Sequence, residues 1–204
     1  MLGGWYSMRL LFIVTLLAVN LFALERCALL TQKVRVAHFK EFGTSFPWQY
    51  GVGQLEQESG CRASISNDGV GSQCAAQITY RWWKPILDKE GITEIASVQG
   101  CLRAQVAIMR YLHVMGRPLW ITYQRYNGGD WVLKEIKKAG VSDWEKAKAQ
   151  CTRGDSHFTL KNGTVQTRNN CDINYEYSKN IFVYGKRYGD VGDNEQYRFW
   201  EAPR

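Results

Sequence analysis

The stretch SVQGCLRAQVAIMRYLHVMG, from Ser97 to Gly116, holds the clearest helical pattern in this chain of 204 residues. Its apolar residues recur at intervals of three and four positions, and they are Val98, Leu102, Val106, Met109 and Leu112. This spacing places them on one face of an α-helix. Gly116 is a residue type that commonly ends a helix. The sequence therefore predicts a long helix with one buried face.

Two further helices are predicted upstream of this segment. Ser45 and Pro47 can open the first, which ends at Glu58. The second runs from Gln77 to Leu87, with Pro85 as a kink or a break, because proline lacks the backbone donor that continues a helix. The chain ahead of the long helix is therefore expected to be largely helical.

Helical and turn signals alternate downstream. A short helix through residues 120–123 meets the turn signal Asn127-Gly128-Gly129. Ser142 and Glu145 form a capping box for a helix that ends near Cys151. Helical spacing returns towards the C-terminus, at Tyr177, Ile181, Tyr184 and Tyr188, and Gly189 can cap that helix.

Residues 152–171 differ from the rest of the chain. They contain two short alternating runs, HFTL and TVQT, joined by Lys-Asn-Gly and flanked by Cys151 and Cys171. Alternating runs around a turn signal predict a small hairpin or a cysteine-closed loop. The expected fold is mostly α, with at most a small β-hairpin or a disulfide-closed loop insert.

Composition and charge exclude some classes of function. The formal net charge of +7 favours an anionic partner such as nucleic acid, an acidic membrane or an anionic cell-wall polymer, and charge alone does not choose among them. No recognition helix, zinc-finger spacing or RNP-like stretch occurs, so nucleic acid is not expected as a partner. Gly51 and Gly53 are not followed by a third glycine and no strand precedes them, so they do not predict a dinucleotide-binding loop.

The N-terminus predicts export. Arg9 is followed by LLFIVTLLAVNLFAL, fifteen uncharged residues from Leu10 to Leu24. This run is shorter than the roughly 20 residues that a membrane-spanning helix needs, and it fits the apolar region of a signal peptide. Residues 1–24 are therefore interpreted as a signal peptide, with an uncleaved N-terminal membrane anchor as the alternative.

Six cysteines agree with an oxidising compartment. There is no C-x-x-C spacing, and the three histidines lie far apart in the sequence. Structural disulfides are expected, although sequence alone does not select their pairing. No metal site and no other cofactor are predicted.

The stretch QLEQESGCRASIS, Gln54–Ser66, contains two glutamates with different expected roles. Glu58 lies at the end of a predicted helix, where the helix dipole disfavours a negative charge. Partial burial would raise its pKa further, and a protonated glutamate can act as a general acid. Glu56 is two residues away and points about 200° from Glu58 on a helix, so it cannot serve the same bond.

The motifs that follow Glu58 resemble those of a known family. Glu58-Ser59-Gly60 is followed by SNDGVGSQCAAQIT, residues 66–79, and then by Tyr126-Asn127-Gly128-Gly129. This order resembles the lytic transglycosylase family with the goose-type-lysozyme-like fold, in its soluble-transglycosylase-like branch of bacteria and phages. That family's pattern runs E-S-G, S-x-x-G-A-x-G-x-x-Q and A-Y-N-A-G. The likeness covers roughly Pro47 to Tyr188.

The resemblance implies a domain organisation. A lysozyme-like helical domain would occupy residues 40–190, with 152–171 as a cysteine-flanked insert that has no counterpart in the family pattern. Residues 191–204 would form a C-terminal tail.

The resemblance also implies roles for particular residues. Glu58 matches the catalytic acid, and the residues matching the substrate-binding positions are Ser59, Gln77, Tyr126, Asn127 and Tyr177. Tyr177 belongs to a motif like the family's N-x-x-Y-x-x-x-I helix, in which the tyrosine approaches the acid; Tyr175 is a near competitor for that role.

The chain departs from the family pattern at three positions. Cys61 and Cys74 stand where an aromatic residue and a glycine are usual, and Gly128 replaces an alanine. A bond between Cys61 and Cys74 would staple the turn beside Glu58, and Cys101 is a candidate partner for either of them.

The activity implied is that of a peptidoglycan lytic transglycosylase. Such an enzyme cleaves the β-1,4 bond between N-acetylmuramic acid and N-acetylglucosamine and leaves a 1,6-anhydromuramic end. The alternatives are a lysozyme-type hydrolase that uses Asp68 or another, unidentified residue as its base, a non-catalytic wall-binding or structural component of a virion or secretion apparatus, and a cysteine-stapled secreted binding module.

The expected partners follow from that activity. They are peptidoglycan glycan strands, a membrane contacted through the N-terminal segment, and a phage or secretion assembly. The expected location is the periplasm, the periplasmic face of the inner membrane, or the virion.

Overall fold

A computed structural model describes residues 23–63, 70–113, 117–140, 147–149, 151–159 and 162–190. The helices are α1 (Thr31–Phe42), α2 (Gln49–Ser59), α3 (Tyr80–Lys89), α4 (Val98–Leu112), α5 (Leu119–Gly128), α6 (Trp131–Ala139) and α7 (Asn170–Gly185), which continues into the 3-10 turn Lys186–Tyr188. Strands β1 (Asp155–Thr159) and β2 (Val165–Asn169) form an antiparallel hairpin. The fold is therefore mostly α with a small β-hairpin, as the sequence predicts.

The predicted long helix is α4, and its N-terminus is capped as the sequence suggests. The side chain of Ser97 accepts a hydrogen bond from the backbone N–H of Gly100 at 3.0 Å. Apolar side chains bury most of the helix surface, and two exposed arginines, Arg103 and Arg110, mark the solvent side. The helix ends at Leu112, so it is shorter than the quoted stretch.

The helix predicted from Gln77 to Leu87 differs in both of its stated features. It begins at Tyr80, because Gln77 lies in a tight turn with φ +50°, a conformation that no right-handed helix contains. The prediction that Pro85 kinks or breaks the helix was wrong about a break: α3 continues through it to Lys89. Pro85 is exposed and Leu87 beyond it is fully buried, so packing holds the last turn despite the missing hydrogen bond.

Several predicted features lie outside the described residues. They are the leader before residue 23, Asp68, Gly116, the capping box of Ser142 and Glu145, and the tail 191–204. Among the described residues, none of the helices has both the length and the apolar character needed to cross a membrane.

Buried side chains form two clusters, and the partly buried Tyr126 packs against both of them. The first joins α1 to α4 and includes Val52, Leu55 and Ile108. The second joins α5, α6 and α7 and includes Tyr177 and Ile181. Helix α2 contributes to both clusters, because Val52 and Leu55 belong to the first and Tyr50 belongs to the second. Helix α1 packs in the first cluster, so the helical packing extends N-terminal to residue 40.

Glycines allow α2 to approach its neighbours closely. A Cβ atom at Gly53 would lie 2.3 Å from the backbone oxygen of Ile181, and one at Gly185 would lie 2.5 Å from the ring of Tyr50. A Cβ atom at Gly51 would lie 2.4 Å from the ring of His38. Gly51 and Gly53 therefore serve helix packing, in agreement with their rejection as a nucleotide-binding loop.

Three disulfides join residues that are distant in sequence. The pairs are Cys27–Cys61, Cys74–Cys101 and Cys151–Cys171. The expectation of structural disulfides is confirmed. The pairing of Cys61 with Cys74 does not form, and of the two partners considered for Cys101 the structure has Cys74. Three disulfides are compatible with an oxidising compartment.

Candidate active site

Glu58 occupies the last turn of α2, and its environment is set by the end of that helix and by burial. The helix ends at Ser59, and Gly60 follows in the left-handed conformation with φ +60°. Glu58 is partly buried, and its carboxyl contacts Tyr177, which belongs to the second core cluster. Burial raises the pKa of Glu58 to about 7, because the charged form loses contact with water. The carboxyl can therefore hold a proton near neutral pH.

Tyr177 of α7 contacts this carboxyl directly. Its hydroxyl donates a hydrogen bond to Glu58 Oε1 at 2.5 Å. The bond stabilises the carboxylate form and therefore acts against burial, lowering the pKa of Glu58. Burial and the charge of Glu58 in turn raise the pKa of Tyr177 well above its usual range, so the phenol stays protonated. In the described part of the chain, Glu58 Oε2 has no hydrogen-bond partner.

Two glutamines that the sequence analysis missed form a series of hydrogen bonds that ends at the hydroxyl of Tyr177. Gln105 Nε2 donates to the carbonyl of Gly51 at 3.2 Å and to Gln54 Oε1 at 2.8 Å. Gln54 Nε2 donates to the Tyr177 hydroxyl over a longer distance of 3.5 Å. Both glutamines are fully buried. The result is a chain of hydrogen bonds that runs from the middle of α4 to the carboxyl of Glu58.

The backbone carbonyl of Gly51, at the end of this series of hydrogen bonds that is farthest from Glu58, determines which group donates and which accepts in each bond. A backbone carbonyl can only accept, so the side-chain nitrogen of Gln105 must face Gly51. Gln54 then accepts from Gln105 through its oxygen and presents its own nitrogen to Tyr177. An amide nitrogen can only donate, so the phenolic proton of Tyr177 is directed to Glu58.

A tight turn between α2 and α3 lies beside the acid. Gln73 and Ile78 form an antiparallel bridge across it, and both Cys74 and Gln77 have positive φ, +58° and +50°. Gln77 closes the turn by donating from Nε2 to the Cys74 carbonyl at 2.9 Å. Left-handed backbone at residues other than glycine is costly and needs external support.

Three helices supply that support. Ser59 of α2 donates to the carbonyl of Ala75 at 2.8 Å, and Tyr126 of α5 donates to the carbonyl of Ala76 at 3.0 Å. The disulfide between Cys74 and Cys101 joins the turn to α4. The turn is therefore held rigidly against the end of α2.

The structure separates the predicted substrate-binding residues into groups. Ser59 is buried, and its hydroxyl forms hydrogen bonds with backbone groups. Its role in the structure is therefore to hold the turn. Gln77 and Tyr126 lie at the turn, and burial, together with the charge of Glu58, raises the pKa of Tyr126 well above its usual range. Asn127 is exposed at the end of α5, where it lines a different cavity.

The competing residues Glu56 and Tyr175 have other contacts. Glu56 accepts hydrogen bonds from Arg187 and Tyr188, each at 2.6 Å, so it joins α2 to the 3-10 turn. The ammonium of Lys148 lies over the ring of Tyr175, 5.2 Å from its centroid. The assignment of the contact with Glu58 to Tyr177 rather than Tyr175 therefore agrees with the geometry.

Aromatic side chains continue from the site onto the surface. The ring of Trp83 stacks on Tyr126 with centroids 6.4 Å apart, and Tyr111 meets Trp83 edge-on at 6.3 Å. Tyr111 is 60% exposed. Exposed aromatic faces next to a polar site are suited to the apolar faces of sugar rings.

Among the described residues of this site, the chemistry available is proton transfer by the carboxyl of Glu58. The cysteines are all engaged in disulfides, and the described residues contain no cluster of three or more side chains that could ligate a metal. Comparisons of this chain with models of protein families, with curated proteins and with solved structures returned no match.

Proposed function

We propose that this protein is a peptidoglycan lytic transglycosylase with Glu58 as its acid and base. The observation that carries the proposal is a partly buried carboxyl with a pKa of about 7, held by one phenol and open at its second oxygen. A general acid works best when its pKa lies near the working pH. The order of motifs around Glu58 supplies the substrate class.

The reaction needs only one carboxyl if the sugar provides its own nucleophile. Protonated Glu58 donates its proton to the glycosidic oxygen, and the bond from C1 of the muramic residue to that oxygen breaks. The 6-hydroxyl of the same residue then attacks C1, and its proton returns to Glu58. A 1,6-anhydro ring forms, no water is consumed, and the carboxyl recovers its initial state.

Engagement of the neighbouring acid supports this single-carboxyl scheme. A hydrolase of the usual kind needs a second carboxylate near the scissile bond. Glu56, the other acid of α2, is paired with Arg187 and Tyr188 on a different side of the helix. The Tyr177 hydroxyl keeps Glu58 in position, while Gln77, Tyr126 and Asn127 are the groups assigned to the sugar.

The setting we propose is outside the cytoplasm. Three disulfides form most readily in an oxidising compartment, and the uncharged run before residue 25 fits an export signal or an anchor. Peptidoglycan strands are then the substrate that the protein would meet. A phage or a secretion apparatus is a setting in which such an activity is used.

The test combines substitution with identification of the product. Purified peptidoglycan is digested with the wild-type protein, with Glu58→Gln and with Glu56→Gln, and the released muropeptides are analysed by mass spectrometry. We expect anhydromuramic ends from the wild type and a loss of rate of about 10²- to 10⁴-fold in Glu58→Gln. Glu56→Gln is the matched control on the same helix, and its rate per folded molecule is expected to stay close to that of the wild type, because Glu56 contacts Arg187 and Tyr188 rather than the acid.

Each other result has a definite meaning. Ends that are heavier by one water identify a hydrolase. Release that persists unchanged in Glu58→Gln contradicts the assignment of the acid. Binding of the wild-type protein to peptidoglycan without any release would identify a wall-binding protein.

A further inference from the structure

A cavity of about 480 Å³ lies between the hairpin and the helices that carry the candidate site. Its size falls within the range of roughly 300–1,000 Å³ that small-ligand sites occupy. One wall is formed by the end of α5 and the start of α6, with Asn127 and Trp131. The other is formed by the insert, with Arg153 just before β1 and Phe158 in β1. The insert that has no counterpart in the family pattern therefore builds half of a cavity.

The cavity combines an aromatic surface with a positive charge. The guanidinium of Arg153 lies over the ring of Trp131, 5.0 Å from its centroid. Within the residues that the structure describes, Arg153 forms no ion pair with a carboxylate. Phe158 is 43% exposed on the opposite wall. These groups suit a ligand that has both an apolar face and a carboxylate.

A buried polar group lies among the lining residues. Asn174 of α7 is 1% exposed, and its Nδ2 donates to the carbonyl of Gln124 at 2.8 Å. Its Oδ1 has no hydrogen-bond partner among the described residues. A buried acceptor without a partner is costly, and a ligand donor such as a hydroxyl or an amide N–H can satisfy it.

The replacement of alanine by Gly128 fits the same cavity. A Cβ atom at position 128 would lie 2.3 Å from the indole nitrogen of Trp131 and 2.9 Å from Asn174 Nδ2. Alanine at this position would therefore displace the aromatic wall. Glycine at position 128, where the family pattern has alanine, therefore allows Trp131 to take its position in the cavity wall.

The hairpin wall is fixed rather than loose. The disulfide between Cys151 and Cys171 closes its base. Asn170 accepts from the Ser156 hydroxyl at 2.6 Å and donates to the carbonyl of Gly154 at 2.5 Å. A wall held in this way keeps Arg153 next to Trp131 before any ligand arrives.

The cavity adjoins the Glu58 site along two helices. Asn174 lies three residues before Tyr177 in α7, so both side chains lie on the same face of the helix, about 4.5 Å apart along its axis. Asn127 directly follows Tyr126, whose hydroxyl contacts the turn beside Glu58. The cavity lining and the residue that contacts Glu58 are therefore about one turn apart along α7.

We propose that this cavity is an additional subsite that binds a carboxylate-bearing muramic unit of the glycan, with Arg153 as the partner of the carboxylate. The inference rests on the proposed function, because the substrate class comes from it. The carboxylate is either the lactyl group of a peptide-free unit or a carboxylate of the attached peptide. Asn174 accepts from a hydroxyl or an N-acetyl N–H, and Phe158 contacts an apolar sugar face.

The test measures binding by calorimetry in the Glu58→Gln background, which separates it from catalysis. The probes are chitotetraose, which has no carboxylate, a peptide-free tetrasaccharide of alternating N-acetylglucosamine and N-acetylmuramic acid, and the same tetrasaccharide carrying peptides. The added substitutions are Arg153→Gln, Phe158→Ala and Arg168→Gln. Arg168 is the matched control, because it lies on the same hairpin but pairs with Glu176 at 2.5 Å.

We expect Arg153→Gln to weaken binding of at least one of the two carboxylate-bearing probes by about tenfold or more, which is the lower end for a charge-assisted hydrogen bond. Chitotetraose binding should stay unchanged in this variant. Phe158→Ala should weaken all probes, and Arg168→Gln none. A loss for the peptide-free probe identifies the lactyl carboxylate, and a loss only for the peptide-bearing probe identifies the peptide.

Equal affinities of Arg153→Gln and its parent for every probe would overturn the proposal, as would an equal loss in Arg168→Gln. The proposed function can fail independently. If the wild-type protein releases no anhydro product while Arg153→Gln still loses affinity, the cavity is a glycan-binding site on a protein without the activity. Release of anhydro product with no effect of Arg153→Gln leaves the activity and removes the subsite.

Discussion

At the scale of single residues, the ionisation of Glu58 sets the pH dependence of the proposed activity. Only the protonated carboxyl can donate to the glycosidic oxygen, and burial raises the pKa of Glu58 to about 7. We therefore expect kcat/KM for release of anhydromuropeptides to fall about tenfold for each pH unit above this value. Initial rates from pH 5 to pH 9 measure it, and a rate that stays level to pH 9 contradicts the assignment.

Substitution of Tyr177 tests the direction in which its hydrogen bond shifts the pKa of Glu58. Its hydrogen bond lowers the pKa of Glu58, so Tyr177→Phe should raise that pKa and move the alkaline limb of the pH profile to higher pH. The maximal rate should fall as well, because the carboxyl loses its positioning contact. Tyr175→Phe is the matched control two residues away, and its profile should coincide with that of the wild type. A shift of the Tyr177→Phe limb to lower pH is incompatible with the hydrogen bond described.

The sequence identified some of these residues and missed others for a physical reason. Glu58 and Tyr177 belong to motifs in which a particular residue type is required at a particular place. Gln54 and Gln105 lie on buried helix faces, and nothing in the local pattern indicates that the two side chains meet across 51 positions of sequence. Their role depends on how α2 and α4 pack, which a single-sequence pattern does not contain.

At the scale of elements, the crossing of α2 and α7 determines whether Tyr177 reaches Glu58. In a helix interior, alanine is favoured over glycine by about 0.5–1 kcal/mol. At Gly53 a Cβ atom would clash with the backbone of α7, so we expect Gly53→Ala to lower the free energy of unfolding by about 1–3 kcal/mol, the cost typical of overpacking. Urea unfolding followed by circular dichroism measures the change.

Gly154→Ala provides the control for that measurement. A Cβ atom at Gly154 meets nothing within 4 Å, and we expect its effect to stay within about 0.5 kcal/mol. If Gly53→Ala were instead more stable than the wild type, helix propensity would outweigh the close approach, and the crossing described here would be incorrect.

Helices and strands whose pattern lies within one segment of the sequence were predicted, whereas an element that depends on contacts with distant segments was misplaced. Periodicity indicated α4, α2 and α7, and alternation with a turn signal indicated the hairpin. The start of α3 was misplaced because the turn before it has left-handed backbone at Cys74 and Gln77, neither of which is glycine. That turn is stable because of Ser59, Tyr126 and Cys101, which come from three other parts of the chain.

At the scale of the whole molecule, two buried groups give the stability opposite dependences on pH. Burial lowers the pKa of His38 to about 4, so between pH 4 and 6.5 the unfolded chain binds more protons and stability rises with pH. Glu58 has a raised pKa, so the folded chain binds more protons up to about pH 7 and stability falls with pH. The two dependences oppose one another in the window that they share.

Single substitutions should uncover each dependence. Relative to the wild type, His38→Gln should gain stability as the pH falls from 6.5 to 4, by about 3 kcal/mol at about 1.4 kcal/mol per pKa unit. Glu58→Gln should gain stability as the pH rises from 4.5 to 7, by a smaller amount of about 1–2 kcal/mol because the Glu58 side chain as a whole is only partly buried. Urea midpoints at half-unit steps of pH measure both, and a constant difference from the wild type across pH refutes the corresponding assignment.

The directed chain of hydrogen bonds from Gln105 to Glu58 has a consequence for where the acidic proton resides. Because the phenolic proton of Tyr177 already occupies Glu58 Oε1, that oxygen acts as an acceptor whether the carboxyl is charged or neutral. The neutral carboxyl must therefore carry its proton on Oε2, the oxygen without a partner among the described residues. A carbonyl at Gly51 thus selects, through three side chains, which of two chemically equivalent oxygens is the donor.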